Sequence, residues 1–525
     1  MRTKRGAPAW LAVAVLACAA EVAAARDWLE ARIDDFVLVT DAREGYARAT
    51  LRDFAVFKFG LGVLAPLTRG TPRMPTQMYA LDAAEWRSFA PAPHIAGFFL
   101  PQTHANFIVF DRTPAGLKSR EVVFHEYMHF MLQAGSDLIL PAWWDEGVAE
   151  VFSSLRERGG RIEFGLVPAA RKMDFAYFEL MPTSMLFAVD RDSPAYRRHG
   201  IAPMFYAQSW LSAHYMLIGN PARGKQMPVY LREINAGTPI AEAVQKAFGV
   251  SLDTLDAEIR AYRQKGRIGG FRLSFDKPLP DAKDVVIRPL PEPVALARLA
   301  IAGLDVGRNP DDAEKRATRA LALDPALPLA QAAMAFVRLR QDRDAEALDW
   351  TRKALGAAAG PEATVAAVRA QSRLVTRALL PRKPKAGDDA TVEELIDEAF
   401  AVQDEPAKPS AAQVAMLQAA RAAVLPYASD PDQGLGATLS VTAIDALLAD
   451  RDPGTTLALV QQATALYPTH TDLAAQEARL CAQLGRYTAA VASASRAARY
   501  ARSPAYRRAL ERWAAELAAA ADASR

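Results

Sequence analysis

The pattern of apolar and polar positions divides the chain into three regimes. Between residues 26 and 118, short strand-like runs alternate with helical spacing. Asp35-Phe36-Val37-Leu38-Val39-Thr40 and Asn106-Phe107-Ile108-Val109-Phe110 are rich in β-branched and aromatic residues and predict strands. Ala42 to Phe59 carries apolar residues at helical intervals. From Ser119 to about Phe275 the spacing is mostly helical. A proline-bearing stretch from Pro278 through Pro289, Pro291 and Pro293 then predicts a linker over 276–293. From Val294 to the end the chain is rich in Ala and Leu and predicts helices throughout.

The last regime repeats weakly. Ala320-Leu321 recurs as Ala354-Leu355, and Ala463 recurs as Ala497, each 34 residues on. Asp324-Pro325 and Tyr467-Pro468 stand where a helical unit would stop, and Leu484-Gly485-Arg486-Tyr487 reads as a turn between helices. Residues 294–525 therefore resemble tetratricopeptide repeats in which Ala replaces most of the bulky signature residues. An unrelated Ala-rich bundle is the competing reading. Between the two repeat-like blocks, Pro381 to Ser410 reads as a charged loop around one short helix.

Composition adds two constraints. The 525 residues are 51% hydrophobic and 23% charged with a net charge of +3, values of ordinary globular protein without a basic stripe, so nothing argues for nucleic acid. The first 25 residues read as an export signal: Arg2, Lys4 and Arg5 precede an apolar Ala9–Ala20, and Ala23, Ala24 and Ala25 precede Arg26. That apolar run is shorter than the roughly 20 residues a spanning helix needs. Val15-Leu16-Ala17-Cys18 loosely fits a lipobox, so anchoring at Cys18 is a variant of the same reading. Cys481 is the other cysteine, and no disulfide is expected to staple the exported chain.

The chemistry concentrates in the middle regime. Phe124-His125-Glu126-Tyr127-Met128-His129 contains the pattern HExxH. On a helix, residues four apart share a face, so His125 and His129 can present two imidazoles to one zinc ion. Glu126 is the candidate general base toward a water on that ion. Ser119 as N-cap, Glu121 in the first turn and Gly135 at the end frame the helix. Its apolar residues lie on all sides, which predicts burial, and buried histidines beside a glutamate call for a compensating cation. Two structural histidines in a core helix form the bland alternative. Downstream, Trp143-Trp144-Asp145-Glu146-Gly147-Val148-Ala149-Glu150 opens a second helix after Pro141. Glu146 is the candidate third ligand, completing three protein ligands with one open position. Glu150, one turn further, is the candidate partner of a histidine N–H.

HExxH followed by a Trp-rich Glu-Gly-x-Ala-Glu segment resembles the gluzincins (clan MA), the peptidases that include thermolysin and the M1 aminopeptidases, and within them the secreted peptidase-MA-like branch. The resemblance covers about Asp35 to Phe275. It implies an α+β zincin-type domain, split as 26–118 and 119–275, ahead of the repeat region. It implies one zinc on His125, His129 and Glu146. It also implies that Tyr206, in Phe205-Tyr206-Ala207-Gln208-Ser209-Trp210, donates to the oxyanion of the tetrahedral intermediate, with His214 as the weaker alternative. Ala96-Gly97-Phe98-Phe99 and Asn106–Phe110 are candidates for an edge strand that pairs with an extended peptide. Sixteen residues lie between His129 and Glu146, a shorter connection than in thermolysin, and the Gly-Ala-Met-Glu-Asn motif of aminopeptidases is missing. The expected function is an exported zinc-dependent peptidase of the periplasm or cell envelope, acting on a peptide or protein substrate. The alternative is a non-catalytic envelope scaffold that binds a protein partner through its repeats.

Overall fold

The computed structural model describes residues 26–62, 75–90, 97–113, 116–135, 138, 140–168, 179–190, 202–265, 268–356, 359–379, 408–448, 452–468, 470–501 and 504–523. The expected export signal with Cys18, and almost all of the expected 381–410 loop, lie outside them. The described chain is mostly helical, with a small sheet near its N-terminus.

Six strands form that sheet: β1 (Trp28–Ile33), β2 (Phe36–Thr40), β3 (Thr76–Leu81), β4 (Gly97–Pro101), β5 (Asn106–Asp111) and β9 (Val286–Leu290). Their order is β4-β5-β3-β2-β1-β9. Strands β2, β3 and β5 run parallel, with Leu38, Met78 and Ile108 in register, while β1, β4 and β9 are antiparallel to their neighbours. Central strands buried on both faces read as continuous apolar runs, which is why β2 and β5 were visible in the sequence. The proline-bearing stretch expected as a linker contains β9, which pairs with β1 from Trp28↔Leu290 to Arg32↔Val286. Pro289 is tolerated there because β9 is an edge strand.

Side chains alternate across this sheet, and each face has its own cover. Phe36, Leu38, Met78, Ala80 and Ile108 pack against helices α1 (Glu44–Leu61) and α3 (Gly116–Gly135). Phe57 stacks on Phe124 of α3 with centroids 4.1 Å apart. Val39, Tyr79, Phe107 and Val109 on the other face pack against Ala295, Leu299 and Ala302 of α10 (Glu292–Asp305) and against the short helix α2 (Ala83–Phe89). The helical region thus supplies one layer of the sheet's own core. Ion pairs tie the two together: Arg298 reaches Glu30 at 2.5 Å and Glu362 at 2.7 Å, and Arg316 reaches Glu85 at 2.7 Å.

Between sheet and repeats run α4 (Ala142–Ser153), the small sheet of β6 (Arg156–Arg158), β7 (Arg161–Phe164) and β8 (Phe271–Leu273), and helices α5 (Thr183–Ala188), α6 (Ala202–His214), α7 (Pro221–Asn235), α8 (Ile240–Phe248) and α9 (Leu252–Gln264). A π-turn, Tyr215–Gly219, continues α6.

The C-terminal region is a succession of helix hairpins: α10, α11 (Pro310–Leu323), α12 (Pro328–Arg340), α13 (Asp344–Ala354), α14 (Pro361–Leu379), α15 (Ala411–Val424), α16 (Gly434–Leu447), α17 (Pro453–Leu466), α18 (Thr471–Gln483), α19 (Tyr487–Tyr500) and α20 (Pro504–Ala523). Helix starts at Pro310 and Asp344, and at Pro453 and Tyr487, are 34 residues apart in each case. Three hairpins turn the same way. Gly307, Asp342 and Gly485 take φ of 74°, 57° and 69°, and the next amide bonds back to the helix end, as Arg486 N–H does to Cys481 O at 2.8 Å. Left-handed backbone favours glycine at such a helix stop, and aspartate is among the few tolerated substitutes. The Ala residues lie in the seams between helices, where Ala317, Ala333, Ala347 and Ala367 are fully buried. Cys481 is a buried free thiol.

Candidate metal centre

Helix α3 is buried where it carries the motif: Val123, Phe124, Tyr127, Met128 and Phe130 are all in the core. It begins at Gly116, three residues before the Ser119 expected as its cap, and ends at Gly135 as expected. The one-turn offset places both imidazoles on one side, with ring centroids 4.8 Å apart. Helix α4 is buried along its whole length and brings three carboxylates, Asp145, Glu146 and Glu150, against that side. Buried carboxylates need positive partners, since isolated ionised groups in an apolar interior are strongly unfavourable.

Three atoms converge. His125 Nε2 is 3.0 Å and His129 Nε2 3.3 Å from Glu146 Oε2, and the two Nε2 atoms are 3.1 Å from each other. Two imidazole lone pairs aimed at one point repel unless a cation lies between them. Tetrahedral ligands about 2.05 Å from a zinc ion lie about 3.3 Å apart, so these separations are those of a zinc ligand set. The donor chemistry fits as well, two neutral nitrogens and one carboxylate with room for a fourth position. Without an ion, protons take up the charge. Burial pulls the His129 pKa down, but Asp145 and Glu146 outweigh it and hold it well above the ordinary value. Burial would raise Glu146, yet the two histidines hold its carboxyl well below the usual range.

The outer nitrogens are held by the same helix. Asp145 Oδ1 lies 3.0 Å from His129 Nδ1. With the proton on Nδ1, that N–H would donate to the carboxylate and leave the Nε2 lone pair facing His125 and Glu146, which fixes ring orientation and raises basicity. Glu150 Oε1 is 3.8 Å from His125 Nδ1, beyond hydrogen-bond range but close enough for ion pairing. Helical spacing in the sequence points to Glu150 and not to Asp145. The signal for Asp145 was its place immediately before the third ligand, on the first turn of a fully buried helix. We expect Asp145→Asn to weaken zinc binding about 10- to 100-fold while leaving the fold intact. A competition titration with a chromophoric chelator checks this, and unchanged affinity would remove Asp145 from the centre.

Glu126 follows His125 on α3 and is half-buried. Tyr206, on α6, lies with its ring centroid 6.4 Å from that of His125, so the third candidate segment does meet the other two. Close approach of α4 to α6 makes this possible, because Gly147 lies directly against the Ser209 backbone. His214, the alternative donor, belongs to the core instead. It is fully buried, its Nδ1 is 2.9 Å from the Tyr262 hydroxyl, and it packs on Trp210. Burial lowers its pKa to about 4. The unfolded chain therefore takes up a proton near pH 6.5 that the folded chain refuses until about pH 4. Stability should fall by about 3 kcal/mol as pH drops across that window. His214→Gln should flatten this part of the stability curve, read by urea melts at pH 7 and pH 4.5. An equal pH dependence in the variant would exclude His214 as its source.

The edge-strand expectation is half met. β4 is the outer strand of the sheet, whereas β5 is interior, between β4 and β3. Phe99 of β4 packs on Tyr127 and Phe130 of α3, so this edge runs beside the metal-site helix.

No protein-family model matches the chain, and no curated protein matches it. Among solved structures it is similar to TTC0263, a tetratricopeptide protein of Thermus thermophilus, at 19% identity and a TM-score of 0.28 over 43% of this chain and 99% of the other. It is also similar to PilF of Pseudomonas aeruginosa at 15% identity and a TM-score of 0.28, over 44% of this chain and 88% of the other. These similarities are too low to argue from, and the repeat architecture rests on the helix hairpins themselves. The expected gluzincin kinship is corrected here. The neighbours found are tetratricopeptide proteins, and no family or curated match places the chain among zincin peptidases. What stands is the class of protein seen directly: a helical-repeat chain with an N-terminal sheet and a His–His–Glu cluster.

Proposed function

We propose that this chain is a partner-binding helical-repeat protein that holds one zinc ion on His125, His129 and Glu146 and hydrolyses peptide bonds there. The broader half of this reading, a scaffold role, is supported by the hairpin array, since stacked hairpins present extended surfaces suited to protein partners. The finer half is supported by one observation: three ligand atoms from two helices lie within 4.8 Å of one another. A zinc ion there would supply Lewis acidity and make a nearby water more acidic. Glu126 would be the base that takes the attacking water's proton and the acid that returns it to the leaving amine. The Tyr206 phenol, beside His125, donates toward the developing oxyanion. The β4 edge, outermost in the sheet among the described residues, is where an extended substrate would add a strand.

Export to the periplasm or cell envelope belongs to the same proposal and rests on residues 1–25. Among the described residues no helix is long and apolar enough to cross a membrane.

Metal analysis of the purified chain, paired with cleavage profiling of a peptide library before and after chelation, tests the reading. About one zinc per chain and chelator-sensitive cleavage are expected. Stoichiometric zinc with no cleavage would leave the scaffold alone, with a structural ion. Absence of zinc binding would remove the centre as well.

A further inference from the structure

A second site lies where the repeats meet the sheet, and it stands independently of the metal centre. Helices α14 and α16 and the turn between β4 and β5 enclose a cavity of about 480 Å³. Arg369, Arg373 and Arg377 line it from successive turns of α14, Gly436 and Ser440 from α16, and His104 from the turn between β4 and β5. Its volume is in the range of small-molecule pockets.

Two of the three guanidiniums in this cavity are paired with a carboxylate and one is not. Arg369 pairs with Asp305 at 2.9 Å, and His104 Nε2 lies 3.2 Å from the same carboxylate. Arg377 pairs with Asp342 at 2.7 Å and with Asp344. Arg373 forms no hydrogen bond or ion pair among the described residues. Its guanidinium lies over the Phe336 ring at 5.5 Å, and Arg369 lies over the same ring at 5.3 Å. The aromatic ring orients both cations without neutralising either. Partial desolvation and the neighbouring Arg369 pull the Arg373 pKa down to about 10, as expected of a cation crowded by like charge. The nearby hydroxyls are already engaged: Ser372 donates to Arg369 O, Thr376 to Ser372 O and Ser440 to Gly436 O. A ligand would therefore meet a guanidinium oriented by the Phe336 ring, with its N–H donors unengaged among the described residues.

We propose that this cavity binds a small anion bearing a carboxylate or phosphate, with Arg373 as its main partner. Arginine's planar fork suits both groups and can hold either in a bidentate contact.

Isothermal titration of the full chain with inorganic phosphate and with citrate, at constant ionic strength, tests this. At least one should bind, and the preferred one identifies the phosphate or the carboxylate as the natural group. Arg373→Ala should weaken that binding by about tenfold or more, the loss of one charge-assisted contact, and Arg373→Lys by less. Arg373 is exposed within the cavity, so both variants should melt as the wild type does. Failure of both anions to bind at millimolar concentration would overturn the proposal. So would equal binding by Arg373→Ala.

Discussion

Glu126→Gln should retain about one equivalent of zinc and lose peptide hydrolysis by two to four orders of magnitude. The two halves of that result have separate causes. Zinc is kept because the converging atoms belong to His125, His129 and Glu146, and the substitution leaves all three in place. Glutamine has the same shape and a good helix propensity, so α3 is undisturbed. Hydrolysis is lost because a carboxamide cannot accept the proton that the attacking water must shed. The measurement is single-turnover cleavage of the best peptide from library profiling, beside metal analysis of the same sample. His129→Ala is the contrasting variant, and it should lose both metal and activity. Undiminished cleavage by Glu126→Gln would sink the hydrolytic assignment while leaving the metal centre standing. No cleavage by the wild type, with zinc bound, would return the protein to the scaffold reading.

A second large effect comes from a residue with no side chain. Gly147→Ala should destabilise the protein by about 2 kcal/mol, although alanine is the better helix former by about 1 kcal/mol. A β-carbon at this position would lie 2.3 Å from the Ser209 carbonyl oxygen and 2.8 Å from Ala213 Cβ. Contacts with backbone cannot be relieved by a rotamer change, so α4 and α6 must separate. Because Glu146 is the adjacent residue and Tyr206 lies on α6, that separation should also loosen the zinc site. A urea melt and a zinc titration on the same variant check both effects. A stabilised variant with unchanged zinc affinity would show that α4 and α6 do not pack this closely.

Much of the site was legible because its signals are local. His125 and His129 share a helix face by spacing alone, and Glu146 stood out by following a Trp-rich entry into a second helix. Asp145 was missed because its role depends on which carboxylate of α4 faces His129, and that depends on how two helices pack. His214 was attractive as a donor for its place in the chain, but the structure puts it in the core with Tyr262. The strand β9 was hidden by Pro289 and the prolines that flank it, which read as a linker until an edge position allowed for Pro289. The family resemblance failed for a related reason. Short motifs report local geometry, and local geometry does not by itself establish kinship.

By itself, the sequence determined many of the elements and the candidate metal-ligand pattern: helices with apolar faces, the 34-residue rhythm of the hairpins and the i, i+4 histidine pair. Each follows from periodicity within a few turns of chain. Only the tertiary structure decided which faces meet. It made α10 of the repeats the second cover of the sheet, brought Glu146 within 3.0 Å of His125 and set Arg373 into a cavity beside two other arginines. Those outcomes depend on contacts between residues tens to hundreds of positions apart, which no local pattern encodes.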